Sequence, residues 1–452
     1  MFGKIKQIHL VGIGGIGMSG IAEVLLNRGY QVTGSDIKES AVTQRLKGIG
    51  AKIFLGHQKG NIQNPQVVVV SSAIFSNNPE VQEAHDQGIP VIPRAEMLME
   101  LMRTKYGIAV SGSHGKTTTT SLIFSILGAA GRDPTAVIGG RLNSIGTNAR
   151  LGEGDLFLAE ADESDGSFLR LSPTLAVITN IDREHMNYFK DLKDLRKAFL
   201  EFANRVPFYG ACILCIDDPE VKKIIPRLKR PYITYGLSPK ANLSGQILSQ
   251  KGRETHIEIF QEENSLGRIK LQIPGTHNIR NALCAVAVGL DCQVPFEKIK
   301  EGLEKFEGIE RRFHLKKEIR GILVYDDYAH HPREIEATLN AFREVYPKRK
   351  LWGVFQPHRY SRLKDLFSDF VESLSKCDQV VLLPVYAASE EPIAGIDHES
   401  LAHGLKERGF DRVQCFNQMN EAKSHLEKVL QEGDLMVTLG AGDVWKLTED
   451  FS

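Results

Sequence analysis

The chain has 452 residues, more than one ordinary hydrophobic core accommodates, and this length predicts about two to four domains. Hydrophobic residues make up 42% and charged residues 25%, and the mean hydropathy is −0.20, as in globular proteins. Lysine plus arginine equals aspartate plus glutamate at 56 each, so no net basic field exists to hold a nucleic-acid backbone.

The sequence also argues against a membrane-spanning or secreted chain. No apolar run reaches the ~18 residues that cross a bilayer, and the first strand-like residues lead directly into glycines without a signal-peptide pattern. The one C-x-x-C pair, Cys212 and Cys215, lies in an apolar strand pattern that would point the two sulfurs to opposite faces. We therefore expect buried free thiols, a cytoplasmic location, and neither a membrane nor a nucleic-acid partner.

Apolar β-branched segments alternate with helical patterns along most of the chain, which predicts an α/β fold with mainly parallel sheets. In chain order, a first block has a strand at 5–13, a glycine turn, a helix near 19–28, and strands at 30–33, 52–55, 67–71 and 90–92. A second block restarts at 106 with a strand, a glycine turn and a long helix, followed by strands at 156–159 and 175–179 and an antiparallel stretch at 245–273. The strands of a third block are expected at 322–325, 351–355, 379–384 and 435–439.

The first glycine turn fits a phosphate-binding pattern. Gly12, Gly14 and Gly17 form G-x-G-x-x-G between a strand and a helix, and Asp36 ends the next strand, near where a ribose-binding acid would lie. Glycines let the backbone approach a diphosphate, and the helix N-terminus supplies N–H dipoles. The alternative is a tight turn that only packs strand on helix. The motif does not say which nucleotide binds, and NAD is one option.

The second glycine turn is more specific. Residues 112–118 (GSHGKTT) follow the strand 108–110 and open a helix. A strict P-loop needs a glycine where Val110 stands, yet Lys116 still supplies a point charge and Thr117 a hydroxyl for Mg²⁺. The alternative is a solvent-facing loop that happens to contain G-K-T. The strand–turn–helix context favours phosphate binding.

Acidic residues follow two strands next in the chain. The strand 156–159 leads into Glu160, and the strand 175–179 leads towards Asp182, Glu184 and His185. Mg²⁺ prefers oxygen ligands, so His185 would be a minority ligand, of a second ion. An acidic solvated loop is the alternative for most of this cluster.

These motifs resemble the Mur ligase family over essentially the whole chain, and nine of them occur in the family's order. They are GIGGIGMSG at 12–20, GSHGKTT at 112–118, EADESD at 160–165, TNIDREHM at 179–186, PGTHNIRNA at 274–282, RRF at 311–313, YDDYAHHP at 325–332, QPHRYSR at 356–362 and LGAGD at 439–443.

The resemblance implies three domains: a Rossmann-like, UDP-substrate-binding domain at 1–104, a central P-loop ATPase domain with a mainly parallel sheet at 105–308, and a Rossmann-like, amino-acid-binding domain at 309–452. It implies an enzyme of peptidoglycan synthesis that uses ATP and Mg²⁺ to join L-alanine to UDP-N-acetylmuramate through an acyl phosphate. Whether the chain is a monomer or a homodimer stays open.

The resemblance also assigns residues. For the UDP substrate it implies Gly14, Gly15, Gly17, Asp36, His57, Ser71 and Arg94. For ATP it implies Gly112, Ser113, His114, Gly115, Lys116, Thr117, Thr118, His277, Asn278, Asn281, Arg312 and Asp326. Metal ligands would be Thr117, Glu160 and His185, and the catalytic set Lys116, Glu160, His185 and His330. Relatives that add later amino acids use a carbamylated lysine, and none is assigned here.

The amino-acid substrate brings a carboxylate that a pair of arginines would hold. Arg359 and Arg362 are three apart and share one face if that segment is helical; an exposed basic helix start is the alternative. Tyr328 and His330 follow a strand on the side where α/β sheets bind ligands, and we expect both in the substrate pocket. No residue is assigned as the general base for the ammonium proton.

Three other functions fit part of this pattern. A ligase that attaches a murein tripeptide to the same UDP sugar would share the ATPase core, although the run at 12–20 favours the L-alanine reaction. A nicotinamide oxidoreductase would use the first glycine turn but have no use for Lys116, Glu160 and Asn281 together. A non-catalytic nucleotide-binding regulator would tolerate loss of Lys116 without loss of activity.

Overall fold

A computed structural model describes residues 5–71, 73–138, 149–186, 188–388, 390–449 and 451. The predicted fold class is confirmed: three α/β domains, each built on its own mainly parallel sheet. The chain forms two compact units, one comprising Met1–Leu248, His256–Lys270 and Arg280–Glu307, and the other Ser249–Thr255, Leu271–Ile279 and Gly308–Ser452.

The first domain is a five-stranded sheet flanked by helices. Its elements are β1 (Gln7–Val11), α1 (Ile16–Asn27), β2 (Gln31–Asp36), α2 (Ala41–Gly48), β3 (Lys52–Leu55), β4 (Val67–Val70), α3 (Pro79–Asp86), β5 (Val91–Pro93) and α4 (Arg94–Met102). The strand order is β3-β2-β1-β4-β5, and every pair is parallel. The order reverses between β1 and β4, so the glycine turn after β1 lies at the switch point where such sheets bind ligands.

The second domain has a ten-stranded sheet. Its elements are β6 (Tyr106–Ser111), α5 (Lys116–Ala129), β7 (Thr135–Val137), β8 (Ala149–Arg150), β9 (Leu156–Glu160), β10 (Leu175–Ile178), α6 (Leu192–Asn204), β11 (Ala211–Cys215), α7 (Pro219–Ile224), β12 (Tyr232–Gly236), β13 (Leu243–Lys251), β14 (Glu254–Gln261), β15 (Asn264–Leu271), α8 (Thr276–Asp291) and α9 (Phe296–Glu304). The order is β15-β14-β13-β12-β11-β10-β6-β9-β7-β8. Strand β6, which carries the second glycine turn, therefore lies between the two strands that lead into acidic residues.

The central strands are parallel and are joined by helical crossovers, which place helices against the sheet. Strand β6 pairs in parallel with β10 and β9, and β10 pairs in parallel with β11. All four residues of β10 are buried, as expected for a strand covered on both sides. At one edge, β13, β14 and β15 are neighbours joined by two-residue turns, which only antiparallel strands allow. The predicted antiparallel stretch is therefore present.

The third domain is a six-stranded sheet. Its elements are β16 (His314–Ile319), β17 (Ile322–Asp327), α10 (Pro332–Val345), β18 (Leu351–Phe355), α11 (Tyr360–Asp365), α12 (Phe367–Leu374), β19 (Gln379–Leu382), α13 (His398–Glu407), β20 (Val413–Cys415), α14 (Met419–Val429), β21 (Leu435–Leu439) and α15 (Lys446–Glu449). The order is β16-β17-β21-β18-β19-β20, and only the β16–β17 pair is antiparallel.

Several helices begin at side chains that cap exposed backbone N–H groups. The Ser40 hydroxyl accepts from Thr43 N at 3.2 Å, and Asp191 accepts from Asp194 N at 2.8 Å. Asn78 and Asp218 each cap a helix whose first residue is proline, which lacks the N–H that would need a partner. These local signals explain why the helices start where they do.

The two cysteines of the C-x-x-C pair are buried, as the sequence predicted. Cys212 and Cys215 are buried free thiols on β11, and burial raises the pKa of Cys215 to about 11. Neither is therefore suited to act as a thiolate. Within the described ranges, none of the helices combines the length and apolar character needed to cross a bilayer.

Candidate functional site

The first glycine turn is shaped by close contacts at three glycines. Gly14 N donates to the Asp36 carboxylate at 2.8 Å, and a Cβ on Gly14 would lie 2.8 Å from the same oxygen. A Cβ on Gly17 would lie 2.1 Å from the Arg94 guanidinium, and one on Gly12 would lie 3.0 Å from Ser71 Oγ. Asp36, Ser71 and Arg94, which lie far apart in the sequence, thus surround this turn.

Arg94 connects this turn with the central domain. Its Nη2 lies 3.5 Å from the Asp162 carboxylate, which belongs to the acidic segment after β9. Burial favours the neutral form of Asp162, but the charges of Lys116 and Arg94 outweigh it and lower the pKa of that carboxyl. The guanidinium therefore lies between the N-terminus of α1 and an ionised acid.

His57 belongs to a buried polar network beneath this region. Glu80 accepts a hydrogen bond from Ser35 at 2.5 Å, contacts Asn61, and lies 3.4 Å from His57 and 3.6 Å from His9. Burial alone would raise the pKa of Glu80, but its contacts with His9, Ser35 and Asn61 lower it to about 2. Within this network, His57 is the residue that the family resemblance assigns to the UDP substrate. Its side chain is about one sixth exposed.

The second glycine turn forms a nest of backbone groups before α5. Gly112 has φ of 136° and Gly115 has φ of 80°, conformations that L side chains rarely adopt. A Cβ on Gly112 would lie 2.0 Å from Thr179 Oγ1, and one on Gly115 would lie 2.7 Å from Asn281 Oδ1. Both glycines are therefore required by backbone conformation and by space.

Side chains after β10 hold this loop in shape. Asn180 accepts from His114 N at 2.8 Å and donates to His114 O at 2.9 Å. Thr179 Oγ1 also donates to His114 O, at 2.6 Å, and Asp182 N donates to Ser113 Oγ at 2.8 Å. The His114 ring lies 2.8 Å from the Asp182 carboxylate. Both the backbone and the ring of His114 therefore contact other groups of the protein.

Lys116 begins α5 and turns back over the loop. Its Nζ donates to Gly112 O at 2.6 Å and to both carboxylate oxygens of Glu163 at 2.9 Å. Burial lowers the pKa of Lys116, but the charges of Glu163 and Asp162 outweigh burial and raise the pKa above its ordinary value. Lys116 therefore keeps its positive charge beside the glycine nest, paired with Glu163.

The predicted metal ligands fall into two groups. Thr117 Oγ1 lies 3.2 Å from Glu160 Oε2. Two oxygens in adjacent octahedral positions around Mg²⁺, each about 2.1 Å from the ion, are about 3 Å apart, so this pair fits that cation. His185 is separate from that pair. It lies 3.6 Å from Glu163 and 3.8 Å from Glu184, and the three ligand atoms lie within 4.8 Å of one another.

Three further ATP candidates lie on α8. Asn281 is 6% exposed and accepts from Thr119 Oγ1 at 3.2 Å, so it contacts α5 directly behind the glycine loop. His277 and Asn278 lie in the first turn of α8, where Asn278 donates to Pro274 O at 2.7 Å. Thr118 lies in the first turn of α5.

In the second unit, Arg311 contacts Asp326 and, together with Arg312, the ring of Tyr328. Arg311 donates to the Asp326 carboxylate at 2.9 Å, and Thr438 donates to its other oxygen at 2.8 Å. The guanidiniums of Arg311 and Arg312 lie 4.9 and 5.3 Å from the Tyr328 ring centre. Asp326 is thus held at the end of β17, and Tyr328 carries positive charge against its ring.

His330 is positioned by Glu334 at the start of α10. The carboxylate lies 3.2 Å from His330 Nδ1 and accepts from His330 N at 3.1 Å. The ring of His358 lies 5.9 Å from that of His330 and stacks on Tyr386. Burial, followed by the charges of His330 and Arg362, lowers the pKa of His358 to about 3, so His358 is neutral near pH 7.

The two predicted arginines do not share a helical face. Arg359 has φ of 72° and precedes α11, whereas Arg362 lies within that helix. Arg362 Nη1 donates to His358 O at 3.2 Å. Arg359 Nε is buried with no hydrogen-bond partner among the described residues. A clamp would therefore use one helical and one non-helical arginine.

Sequence reasoning missed several residues of the site. Glu163 and Asn180 lie in motifs that the sequence analysis singled out, yet their pairing with Lys116 and His114 depends on the order of strands in the sheet. Glu80 and His9 gave no signal, because one lies in an ordinary helical turn and the other in an apolar strand. Lys193 and Lys197 are exposed on α6.

Three Mur ligase domain families match the chain in order. The "Mur ligase family, catalytic domain" matches residues 7–106, the "Mur ligase middle domain" 110–289 and the "Mur ligase, glutamate ligase domain" 311–442. A Rossmann-like sheet with a glycine turn, followed by a phosphate loop and a third α/β domain, thus defines the class, and the chain belongs to the Mur ligase family.

Individual relatives narrow this class. A protein of Desulfosudis oleivorans named UDP-N-acetylmuramate--L-alanine ligase is 53% identical over 450 residues, covering 100% of this chain and 98% of the relative. The crystal structure of UDP-N-acetylmuramate-alanine ligase MurC from Thermotoga maritima is 29% identical with a TM-score of 0.83, covering 99% and 98%. A murein peptide ligase structure from Psychrobacter arcticus 273-4 is 23% identical with a TM-score of 0.72, covering 99% of both chains, and shares the fold.

Proposed function

We propose that this chain is an ATP-dependent ligase that joins L-alanine to UDP-N-acetylmuramate and releases ADP and phosphate. The observation that carries this is Lys116 over a glycine nest beside the Thr117–Glu160 pair, in a chain 53% identical to a relative with that name. The murein peptide ligase likeness is weaker, at 23% identity. The reaction belongs to peptidoglycan precursor synthesis and takes place in the cytoplasm.

The chemistry explains why ATP is needed. A carboxylate does not react with an amine at neutral pH, because oxide is too poor a leaving group. Transfer of the γ-phosphoryl group from ATP to a carboxylate oxygen of UDP-N-acetylmuramate gives an acyl phosphate and ADP. The L-alanine nitrogen then attacks the acyl carbon, forms the C–N bond and loses a proton, and phosphate leaves with the electrons of the C–O bond.

Residues of the central domain bind and orient the nucleotide. The backbone of Gly112–Thr118 surrounds the phosphates, Lys116 neutralises charge on the transferring group, and His277, Asn278 and Asn281 contact the adenine side. Arg312 and Asp326 contact the phosphate and ribose sides. Thr117, Glu160 and His185 would hold Mg²⁺, which when bound neutralises the phosphate charge during transfer.

The other two domains would bind the two reacting partners. Gly14, Gly15 and Gly17 receive the UDP diphosphate, with Asp36, His57, Ser71 and Arg94 around it. Tyr328, His330, Arg359 and Arg362 receive L-alanine, and the two guanidiniums pair with its carboxylate. We propose domain bounds of 1–104, 105–308 and 309–452, in agreement with three sheets and three family matches.

A radiolabelled-alanine transfer assay tests the proposal. Purified protein with ATP and Mg²⁺ should convert L-alanine into a UDP-linked product only when UDP-N-acetylmuramate is present, and murein tripeptide should not replace L-alanine. Lys116→Ala should lower the rate about 10²- to 10³-fold, since it removes charge stabilisation of the transferring group. Lys193→Ala, which removes an exposed lysine on α6, is the matched control. ATP left intact with all three substrates would overturn the proposal.

A further inference from the structure

A buried acid faces the phosphate-loop lysine. Glu163 is 0% exposed, and each of its carboxylate oxygens lies 2.9 Å from Lys116 Nζ. Lys116 also donates to Gly112 O, so its ammonium is held against its own loop. Glu163 is not among the metal or catalytic residues assigned above, and it follows the assigned Glu160 by three positions.

We propose that Glu163 is a positioning residue that serves as the counter-ion of Lys116 when no nucleotide is bound and thereby makes phosphate binding depend on a divalent cation. This inference rests on the proposed function, because it assumes that ATP phosphates bind at the glycine loop.

Glu163 and a bound phosphate would compete for one ammonium group. A phosphate in the nest formed by Gly112 and Gly115 needs the charge of Lys116, which Glu163 already contacts with both oxygens. When Lys116 turns to the phosphate, Glu163 stays buried without its partner and close to further negative charge. An uncompensated buried carboxylate is strongly unfavourable.

Further acidic groups lie near this ion pair. Asp162 and Glu184 place additional acidic groups near Lys116, so the pocket becomes strongly negative once a phosphate takes the ammonium. His185 and Glu184 have ligand atoms within 4.8 Å of Glu163, an arrangement that fits a divalent cation. Such a cation compensates Glu163 when Lys116 leaves it. Nucleotide without the cation has no such compensation.

The experiment measures ADP affinity by isothermal titration, with excess Mg²⁺ and with a chelator, on the full chain. Wild type should bind ADP much more tightly with Mg²⁺. Glu163→Gln should bind metal-free ADP about tenfold more tightly than wild type, because one negative charge beside the phosphate loop is removed. The same variant should need a higher Mg²⁺ concentration for half-maximal binding. A purely structural role would weaken binding under both conditions.

Two further variants complete the design. Glu163→Asp keeps the charge and should restore most of the magnesium dependence. Asp165→Asn removes the same charge two residues away, where Asp165 accepts from Ser167 N at 3.0 Å, and should behave as wild type. Equal weakening with and without Mg²⁺ in Glu163→Gln, or no change in that variant, would overturn the inference. If wild type bound no ADP at all, the proposed function would fall and this inference with it.

Discussion

Gly302 lies where α9 crosses the helix that carries the phosphate-loop residues. A Cβ added at Gly302 would lie 2.6 Å from Ile126 Cα and 2.8 Å from Ile126 N, both backbone atoms of α5. Ser125 Oγ also donates to Gly302 O at 2.7 Å. Because backbone atoms cannot rotate away as a side chain can, Gly302→Ala must push the two helices apart.

The magnitude follows from these distances. Ordinary contact begins at 3.4 Å, so the helices must separate by almost 1 Å. Overpacking of this kind costs about 1 to 3 kcal/mol, and a weakened Ser125 hydrogen bond adds about 1 kcal/mol. The higher helix propensity of alanine stabilises the variant by up to about 1 kcal/mol and so offsets part of this cost. We expect a net loss of about 2 kcal/mol, which lowers the melting temperature by about 5 °C.

Scanning calorimetry on the full chain checks this expectation, with Gly128→Ala as the matched control. Gly128 lies in the same helix, α5, and an added Cβ there meets nothing within 4 Å. The control should melt at or slightly above the wild-type temperature. Equal melting temperatures for Gly302→Ala and Gly128→Ala would refute the argument that backbone contact at this crossing decides the outcome.

Three further predictions concern the other domains. Glu80 has a folded pKa of about 2 against 4.5 in the unfolded chain, so its stabilisation is complete above pH 4.5 and is lost as the pH falls towards 2. The free energy of unfolding of Glu80→Gln, measured with urea at pH 7, should therefore be about 2 kcal/mol below that of wild type. A difference between the two proteins that did not shrink below pH 4.5 would contradict this assignment. His358 has a folded pKa of about 3 against 6.5 unfolded, so wild type loses stability as the pH falls from 6.5 to 3. Between pH 7 and 4.5, the free energy of unfolding of His358→Gln should fall by about 2 kcal/mol less than that of wild type. Parallel profiles of unfolding free energy against pH would contradict this prediction. Asp36→Ala removes the acceptor for Gly14 N and should weaken UDP binding about tenfold in a titration while leaving ADP affinity unchanged; weakening of both would indicate general unfolding.

Local patterns predicted the fold well, because the hydrophobic period of a strand or helix and the glycines of a turn depend only on residues that are neighbours in the sequence. The fully buried strand β10 and the glycine turns after β1 and β6 were recognisable in this way. The short strands β7, β8 and β20 were not predicted, whereas β5, which is equally short, was recognised in the apolar residues 90–92. Strand β16 gave no clear signal either, because its burial pattern mixes exposed and half-buried positions.

The site was predictable in its loops and less so in its pairings. Lys116 and Thr117 follow from a motif, whereas Glu163 and Asn180 act through partners brought close by the β9-β6-β10 strand order. Spacing suggested a helical pair for Arg359 and Arg362, but the positive φ of Arg359 places it before the helix. A backbone conformation of that kind is set by tertiary contacts, here including the bond from Arg359 N to Tyr386 O at 2.9 Å.

The amide of Asn180 bonds to both the N–H and the carbonyl of His114, as a neighbouring strand would. A chain segment more than sixty residues away therefore holds this loop in its conformation. Such a loop needs fewer glycines than a loop held only by its own backbone. Val110 is buried in β6, at the position where a strict P-loop has glycine. Mutations just after β10 should consequently change the shape of this loop.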